Sequence, residues 1–500
     1  MEINEDFDII VIGSGMGGLS AACCLSKEGY KVLVLEKAAI PGGCSSSYKK
    51  NDAVFETGAT TLIGFDEHQP MKRLEDITGL RIPREPLDVS MRIHFGNTFL
   101  DRPKNFSEFL KKSIDLFGLE EQQKAFWAKA NDLSDLVWRV SESNIFFPPK
   151  SINDWLSAAF SNKISDLPKL KHLFKSTADT LSFYGLNKPQ FKSFIDEQLM
   201  ITAQSKSEDV PFLFAAPALT YPHAQNFYVP GGLWNMAYAC TDFIGANGGK
   251  VITKAAVTGI NALDDGSYLV KARNRKSYKS KIVVLNTPIW NAVNLFEDSH
   301  IKKRLAKAAQ KFEKAWGAFT MGVVFKDSLE ATLPLHHQIH YSNNDTLGQE
   351  GSIFVSLSKS GDLARVKEGY RTANVSMHTE VEQWYTESKE EYELLKEKWT
   401  NAVLTIMASS NLNISHEVID TYHAATPITW EKWVGRSKGK VGGLPQSMKR
   451  SVLDWPDLNP VDGVYLVGDT TYPGQGIPGV TLSGINVYYR IKNKFSHLIK

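Results

Sequence analysis

Near its start, the chain combines a short apolar run with a glycine-rich turn, and this feature restricts the fold more than any other. Residues 7–12 (FDIIVI) have the length of a strand, and Gly13, Gly15 and Gly18 follow in G-x-G-x-x-G spacing at the start of a helical pattern. In such a unit the first glycine makes a tight turn, the second lets a pyrophosphate approach the backbone, and the third lets helix and strand pack closely. The pattern therefore predicts a dinucleotide-binding turn, with the phosphates at the helix N-terminus.

The segment after this turn completes a βαβ pattern. The helical pattern stops at Gly29, and a second apolar run, KVLVLE, ends in Glu36. An acid at this place, roughly 20 residues after the glycines, accepts hydrogen bonds from ribose hydroxyls and repels a 2′-phosphate. NADP is therefore disfavoured, whereas FAD and NAD both remain. Pro41-Gly42-Gly43 and then Gly58 follow the acid, and ordinary nicotinamide dehydrogenases need no such glycine doublet.

A second glycine-rich stretch lies near the other end of the chain. It reads VYLVGDTTYPGQGIPGV: an apolar run, then Gly468-Asp469, then a loop in which Gly474, Gly476 and Gly479 alternate with prolines. Glycine lets the main chain approach a ligand closely, whereas proline stiffens the loop. On its own the stretch is equally typical of a strand followed by a turn-rich loop.

Bulk properties exclude several classes of protein. The 500 residues carry a net charge of only +2, so no general attraction to nucleic acid follows. Four unevenly spaced cysteines (Cys23, Cys24, Cys44 and Cys240) fit neither a disulfide framework nor a zinc site, and we expect no metal. They favour a reducing, cytoplasmic setting. The acidic N-terminus lacks a signal-peptide pattern, and no apolar run reaches the about 18 residues that span a bilayer.

Three segments together resemble a known family. Residues 8–62, the mid-chain stretch 228–260 (YVPGGLWNMAYACTDFIGANGGKVITKAAVTGI) and the closing stretch 463–484 resemble the FAD-dependent carotenoid desaturase and isomerase family, in its order. Residues 425–446 (ATPITWEKWVGRSKGKVGGLPQ) resemble the branch of carotenoid isomerases and 3,4-desaturases more than the phytoene desaturases. The fold that this resemblance implies is α/β: a Rossmann-like FAD-binding domain of the amine-oxidase and phytoene-desaturase type, a mixed-sheet substrate domain and a helical insertion.

The resemblance implies that both glycine-rich ends form one FAD site. The N-terminal end would hold the ADP part, Val257 would contact the adenine end through its backbone, Asp469 would lie near the sugar and phosphates, and residues 476–480 would present N–H groups to the flavin ring. We expect these cofactor-binding residues: Gly13, Gly15, Gly18, Glu36, Lys37, Gly42, Gly43, Gly58, Thr61, Val257, Gly468, Asp469, Gly476, Ile477, Pro478, Gly479 and Val480. Cys44 could be an attachment point for a covalent flavin, but an ordinary buried thiol is favoured.

The predicted FAD domain is discontinuous. It comprises residues 1–90, 225–300 and 440–500, while residues 91–224 form a helical insertion and residues 301–439 a substrate domain. Within the insertion, Leu167, Leu170, Leu173, Phe174 and Leu181 can share one helical face beside several lysines. Such a face is also typical of a solvated helix, but a lipid-soluble substrate favours peripheral contact with the inner face of the membrane.

Two reactions remain open for this family member. One is FAD-dependent desaturation, such as formation of a C3,4 double bond in an acyclic or monocyclic carotenoid, with or without a hydroxyl group, by hydride transfer to flavin. The other is a redox-neutral cis-trans isomerisation that requires reduced FAD. An amine oxidase or a flavin-free lipid escort would be a different class. The sequence assigns no catalytic residue or oligomeric state; the available acids and bases are His336, His337, His340, His378 and Glu431.

Overall fold

The computed structural model describes residues 5–149, 152, 154, 156, 163–273, 275–311, 315–342, 347, 350–450 and 452–498. The strands among them are β1 (Glu5–Ile12), β2 (Val32–Leu35), β3 (Ser47–Lys50), β4 (Ala53–Glu56), β5 (Glu85–Leu87), β6 (Val89–Phe95), β7 (Thr98–Pro103), β8 (Asn226–Tyr228), β9 (Lys250–Ile252), β10 (Val257–Ala262), β11 (Tyr268–Ala272), β12 (Ser277–Leu285), β13 (Gly317–Lys326), β14 (His336–Tyr341), β15 (Gly351–Leu357), β16 (Tyr370–Thr379), β17 (Ile419–Ala425) and β18 (Val464–Leu466).

The α-helices connect and cover these strands. They are α1 (Met16–Lys27), α2 (Pro70–Thr78), α3 (Phe106–Phe117), α4 (Glu120–Ser143), α5 (Thr177–Phe183), α6 (Pro189–Thr202), α7 (Phe212–Thr220), α8 (Trp234–Ala246), α9 (Ile289–Ala292), α10 (Ser299–Gln310), α11 (Lys389–Ser409), α12 (Pro427–Val434) and α13 (Ile477–Phe495). Short 3₁₀ turns, including Ile164–Leu173, lie between some of them.

The first sheet joins the two ends of the chain. Its order is β10-β11-β12-β1-β2-β9, and β18 pairs with β12. The central pairs are parallel, so that Val11 lies opposite Val34 on one side and Val284 on the other. Parallel strands of this kind are buried on both faces, as the near-continuous apolar runs predict. β18, the strand before the C-terminal glycine loop, is therefore separated from β1 by a single strand, β12.

Helices cover both faces of this sheet. On one face α1, α8 and α13 pack around Ile9, Val11 and Ile485, which are completely buried. On the other face α9 and α10 cover a second apolar cluster that contains Ile10 and Leu285. This three-layer arrangement is the predicted Rossmann-like α/β unit, and it brings the turn after β1 and the turn after β18 to the same edge of the sheet.

The second sheet is mixed and has the order β17-β13-β16-β15-β14-β6-β7. All of its pairs are antiparallel except β14 with β6. Alternate residues point to opposite faces. Phe319 and Met321 pack against α11, whereas Ala318 and Thr320 line a cavity on the other face. The predicted mixed-sheet roof over a cavity is thus present, and it also includes β6 and β7 from residues 89–103.

The helical insertion packs on its own apolar cluster against the second sheet. Phe109, Phe126, Trp127 and Phe194 are fully enclosed, so the helices predicted from three- and four-residue apolar spacing in residues 105–139 are confirmed. The predicted single apolar face in residues 167–181 is wrong. Pro168 lies in a 3₁₀ segment, and Leu181 belongs to the core while Phe174 is exposed. Within the described residues, no helix has both the length and the apolar character needed to cross a bilayer.

Candidate active site

Asn286, directly after β12, lies at the point where the glycines of both ends meet. Its Nδ2 donates a hydrogen bond to the Gly13 carbonyl oxygen (3.2 Å). A Cβ atom added to Gly15 would lie 2.7 Å from Asn286 Nδ2, and one added to Gly468 would lie 3.0 Å from Asn286 Oδ1. Gly17 and Gly18 approach the same side chain. The two glycine-rich stretches therefore share one asparagine, and only a residue without a side chain fits at Gly15.

Glu36 directly follows β2, and its carboxylate binds Ser14 in the glycine-rich turn. Its Oε2 accepts hydrogen bonds from the backbone N–H (2.8 Å) and hydroxyl (2.6 Å) of Ser14, and its Oε1 accepts one from the Ala38 N–H (2.7 Å). Two carboxylate oxygens offer about four acceptor positions, so one position remains for a ribose hydroxyl. The structure thus places Glu36 beside the turn where the sequence predicts a ribose-binding acid.

Other predicted residues of the ADP end surround this turn. The Gly42 N–H donates to the Ser14 carbonyl oxygen (2.9 Å), and a Cβ on Gly43 would lie 3.4 Å from Gly15 Cα. The Ala255 N–H donates to the Glu36 carbonyl oxygen (2.7 Å), which brings the segment before Val257 alongside the acid. Lys37 reaches across to the backbone of Gly435, where a Cβ would lie 2.6 Å from its Nζ. Their individual contacts with a nucleotide stay a prediction.

A buried ion pair follows the C-terminal Gly-Asp pair. Asp469 Oδ2 lies 2.8 Å from Nη2 of Arg436, whose Nε donates to the Lys440 carbonyl oxygen (2.5 Å). Burial would lower the pKa of the Arg436 guanidinium, but the Asp469 carboxylate and the Cys44 side chain together more than offset this effect, so the pKa is raised. Burial raises the pKa of the neighbouring Cys44 thiol. A protonated thiol is a weak nucleophile, which fits the favoured interpretation of Cys44 as an ordinary buried thiol.

A cavity of about 890 Å³ lies between the C-terminal glycine loop, the second sheet and α6. The side chains and backbone of the predicted flavin end meet here. The cofactor residues that line it are Gly58, Thr61, Asp469, Gly476, Ile477, Pro478, Gly479 and Val480. The predicted residues of the ADP end lie outside its lining, around Asn286 and Ser14. The predicted cofactor residues therefore form two groups: an ADP end beside the first sheet and a flavin end in the cavity.

The flavin end of the cavity has polar groups that suit the isoalloxazine ring. Helix α13 begins at Ile477, after Gly476 in a positive-φ conformation (+85°), so its N-terminal N–H groups and dipole face the cavity. The buried hydroxyl oxygen of Thr61 has no hydrogen-bond partner among the described residues. Together with the glycine turn at the ADP end, these groups fit FAD: the helix N-terminus favours negative charge on the ring, and Thr61 can bind a ring or ribityl group.

The remaining cavity surface is largely apolar and aromatic. Its large apolar residues include Trp138, Met200, Ile201, Phe214, Phe354 and Trp399. Of the histidines that the sequence offers as acids or bases, His378 lines the cavity, and burial lowers its pKa to about 4. His336, His337 and His340 lie outside its lining, as does Glu431, which binds Tyr385 Oη (2.8 Å). His378 is therefore the residue of this set that lines the cavity, and its lowered pKa favours the neutral imidazole there.

Comparison with known proteins agrees with the nucleotide-binding fold. A model of the NAD(P)-binding Rossmann-like domain matches residues 11–77. Prolycopene isomerase 1, chloroplastic, of an Oncidium hybrid cultivar is 26% identical over 98% of this chain and 84% of its own. The 4,4'-diapophytoene desaturase (4,4'-diapolycopene-forming) of Methylomonas sp is 23% identical over 94% of this chain and 92% of its own. A redesigned putrescine oxidase structure has a TM-score of 0.63 at 15% identity, covering 98% and 99% of the two chains.

The fold and the site define an FAD-dependent oxidoreductase with the α/β architecture of the amine-oxidase type. The relatives then narrow the class. Over nearly its whole length the chain is similar to enzymes named as carotenoid isomerases and desaturases. The predicted family resemblance, fold class and cofactor are confirmed, and the enzyme class with them.

Three residues of the site were not predicted from the sequence. Asn286 could have been noticed as a polar residue directly after the apolar run KIVVL. Arg436 lies in the motif that carries the branch resemblance, but its partner Asp469 follows 33 residues later. Glu197 lines the cavity from α6, on the same helical face as Ile201 four residues on. A charged residue on an otherwise apolar helical face is the only signal that the sequence offers for it.

Proposed function

We propose that this enzyme desaturates a carotenoid, forming a C=C bond such as C3,4 in an acyclic or monocyclic substrate. The observation that carries the proposal is the continuity of one cavity, from the N-terminus of α13 to aromatic surfaces such as Trp138 and Phe354. The curated relatives named as a diapophytoene desaturase and a prolycopene isomerase support a carotenoid substrate. The C3,4 position is supported by the branch resemblance of residues 425–446, which include Arg436 at the flavin end.

The chain's own residues position the substrate by shape and apolar burial. A polyene has no heteroatom at the reacting carbons, so orientation must come from close apolar walls rather than from hydrogen bonds. Met200 and Phe214 supply such walls from α6 and α7, and Trp399 supplies one from α11. These surfaces also exclude water from the reacting carbons. When bound, FAD supplies a hydride acceptor. The α13 N-terminus then stabilises the negative charge that develops at that end of the cavity.

A second candidate is redox-neutral cis-trans isomerisation. The prolycopene isomerases of Daucus carota and Arabidopsis thaliana, both 25% identical to this chain, specifically favour it. The same apolar cavity would serve it, because isomerisation also needs an extended polyene held against the cofactor. The two reactions differ in whether hydrogen leaves the substrate.

The test is expression of the chain in cells supplied with different carotenes, followed by absorption and mass measurements on the pigments. Desaturation is expected to shift the absorption to the red and to lower the product mass by two hydrogen atoms. An unchanged mass with altered fine structure and retention time would replace it by the isomerase candidate. No conversion of any carotene by a flavin-loaded, yellow protein would overturn both.

We also propose that the protein contacts the inner face of the membrane peripherally. Ile164 (83%), Phe174 (79%) and Phe183 (77%) are among the most exposed large apolar side chains in the described residues. Exposed lysines at positions 163, 171 and 175 lie in the same segment, whereas Lys169 is paired with Asp132. Exposed apolar side chains beside exposed lysines suit an anionic lipid surface.

Vesicle sedimentation tests this surface. Wild-type protein is expected to sediment with vesicles containing anionic lipid more than with neutral vesicles. Phe174→Ser with Phe183→Ser should weaken sedimentation with both kinds of vesicle. The matched control is Leu363→Ser, which changes an exposed apolar side chain (68% exposed) elsewhere on the surface. Equal binding by the double variant and the wild type would contradict the membrane surface proposed here.

A further inference from the structure

A chain of hydrogen-bonded polar side chains reaches the cavity at the carboxyl group of Glu197. Ser352 Oγ donates to Glu197 Oε2 (2.6 Å), and Gln338 Nε2 donates to Ser352 Oγ (3.0 Å). Gln198 Nε2 donates to Gln338 Oε1 (2.5 Å), and Arg102 Nη1 donates to Gln198 Oε1 (2.7 Å). Glu197, Gln338 and Ser352 all line the cavity.

The row of hydrogen-bonded side chains behind Glu197 is fixed in place at its buried end. Arg102, Gln198 and Gln338 have no exposed surface, and each is bound to the next. A further bond, from Gln338 Nε2 to the Glu197 carbonyl oxygen (3.1 Å), ties the chain to the α6 backbone. Buried polar groups of this kind destabilise a fold unless they are paired; Arg102 Nε is a buried atom of this group without a partner among the described residues. In a cavity whose surface is largely apolar, the arrangement orients the carboxyl group of Glu197.

Burial raises the pKa of the Glu197 carboxyl, although the hydrogen bond from Ser352 and the charge of Lys206 oppose this effect. The carboxylate accepts hydrogen bonds, and the raised pKa widens towards higher pH the range in which the protonated carboxyl can donate one. Among the described residues only its Oε2 side-chain oxygen accepts a hydrogen bond. A second cavity of about 670 Å³ borders the same place and shares Glu197, Lys206 and Glu350 with the first. A ligand that reaches Glu197 therefore has room for a polar group there.

This carboxyl group lies at a distance from the flavin end of the cavity. On β15, Ser356 Oγ donates to Thr60 Oγ1 (2.8 Å), next to the predicted flavin residue Thr61. Ser352, the partner of Glu197, lies four residues away on the same strand, which is about 13 Å. A proton acceptor at the reacting carbons would have to lie beside the flavin. The position of Glu197 therefore suits recognition of a remote part of the substrate.

We propose that Glu197 and Ser352 form a subsite for an oxygen function, a hydroxyl or carbonyl group, that the polyene substrate carries away from its reacting carbons. This inference rests on the proposed function and narrows its substrate class to oxygenated polyenes. A substrate hydroxyl donates to the Glu197 carboxylate, and a substrate carbonyl accepts from the protonated carboxyl. The buried chain behind Ser352 keeps the carboxyl group oriented in either case.

Binding to the FAD-loaded protein tests this subsite separately from turnover. The probes are lycopene and lycopene with one terminal hydroxyl group, and binding is followed by quenching of tryptophan fluorescence. The wild type is expected to bind the hydroxylated probe more tightly, by about tenfold or more, because a hydrogen bond to a charged carboxylate is stronger than a neutral one. Glu197→Leu should reduce this preference to within about twofold and leave lycopene binding unchanged or tighter, since an apolar side chain replaces the carboxyl group.

Three controls make the result decisive. Glu393→Leu makes the same change on the exposed face of α11 and should retain the wild-type preference. Glu197→Gln keeps a hydrogen-bonding group and should retain part of the preference for the hydroxylated probe. Flavin absorbance reports whether each variant is folded. If Glu197→Leu does not fold, Ser352→Ala serves instead and should lower the preference. No preference in the wild type, or an unchanged preference in these variants, overturns the subsite. Binding of neither probe by yellow wild-type protein contradicts the proposed function instead.

Discussion

Gly15 is the residue of the predicted ADP end at which a side chain would meet both Asn286 and the expected pyrophosphate. In Gly15→Val the Cβ would lie 2.7 Å from Asn286 Nδ2, and the branched side chain would occupy the place of the pyrophosphate. We expect purified protein with little or no flavin absorbance per chain. Gly245→Val is the matched control, because no atom lies within 4 Å of a Cβ there. A fully yellow Gly15→Val protein would contradict the placement of the cofactor.

Asp469 is the only carboxylate that we find paired with the buried guanidinium of Arg436 in the described residues. Asp469→Asn leaves that cation without its counter-charge, and breaking a buried pair from one side costs about 3–5 kcal/mol. We expect a large loss of unfolding free energy in urea denaturation and weaker flavin retention. Asp462→Asn, in the exposed ion pair with Lys494, should change little. Equal stability of the two variants would refute a structural role for the buried pair.

The sequence predicts a residue's role when the residues it acts with are its neighbours along the chain. Gly13, Gly15 and Gly18 serve a turn and a helix start that are adjacent in sequence, so their spacing alone predicts them. Asn286 acquires its role only when β12 lies beside β1. Glu197 is functional only because Ser352, from a distant strand, orients its carboxyl group. No local pattern encodes such pairings.

At the element scale, α1 and α13 pack closely through glycines. A Cβ on Gly484 would meet the Gly17 carbonyl oxygen and would lie 2.9 Å from the Ala21 N atom. Gly484→Ala is therefore expected to overpack this crossing and to lower the unfolding free energy by about 1–3 kcal/mol. Gly245→Ala in α8 meets no atom within 4 Å and should instead be neutral or stabilising by up to about 1 kcal/mol. Thermal unfolding measures both, and shifts of the same sign would contradict the close packing.

The type of most elements was predictable, but their pairing was not. Alternation in FTMGVVF, SIFVSLS and TANVSMH correctly indicates β13, β15 and β16. That β6, from residues 89–95, pairs in parallel with β14 is a tertiary choice without a local signal. The failure in residues 167–181 has a local cause: Pro168 cannot donate within a helix, and the chain turns so that Leu181 enters the core.

At the scale of the whole molecule, the two ends of the chain close one sheet. β18 pairs with β12 in register, with Leu466 opposite Leu285. Periodicity indicates both strands, but it does not say that they are neighbours. The family resemblance alone predicted that the ends share one cofactor. The domain boundaries stay a prediction. The second sheet includes β6 and β7 from residues 89–103, most of which fall within the predicted helical insertion of residues 91–224.

The buried histidines of the second sheet make the stability of the molecule depend on pH. Burial lowers the pKa of His336 to about 4, whereas an unfolded histidine titrates near about 6.5. Between these values the unfolded chain binds more protons, so stability is lost as pH falls from about 6.5 towards 4. One such group contributes a slope of at most about 1.4 kcal/mol per pH unit.

His336→Gln can keep the bond to Ser356 Oγ (2.9 Å) while removing the titration. We therefore expect a flatter plot of unfolding free energy against pH for this variant, with the same change at the exposed His416 as control. A variant with the wild-type slope between pH 5 and pH 6.5 would mean that His336 is protonated in the folded molecule as readily as in the unfolded chain.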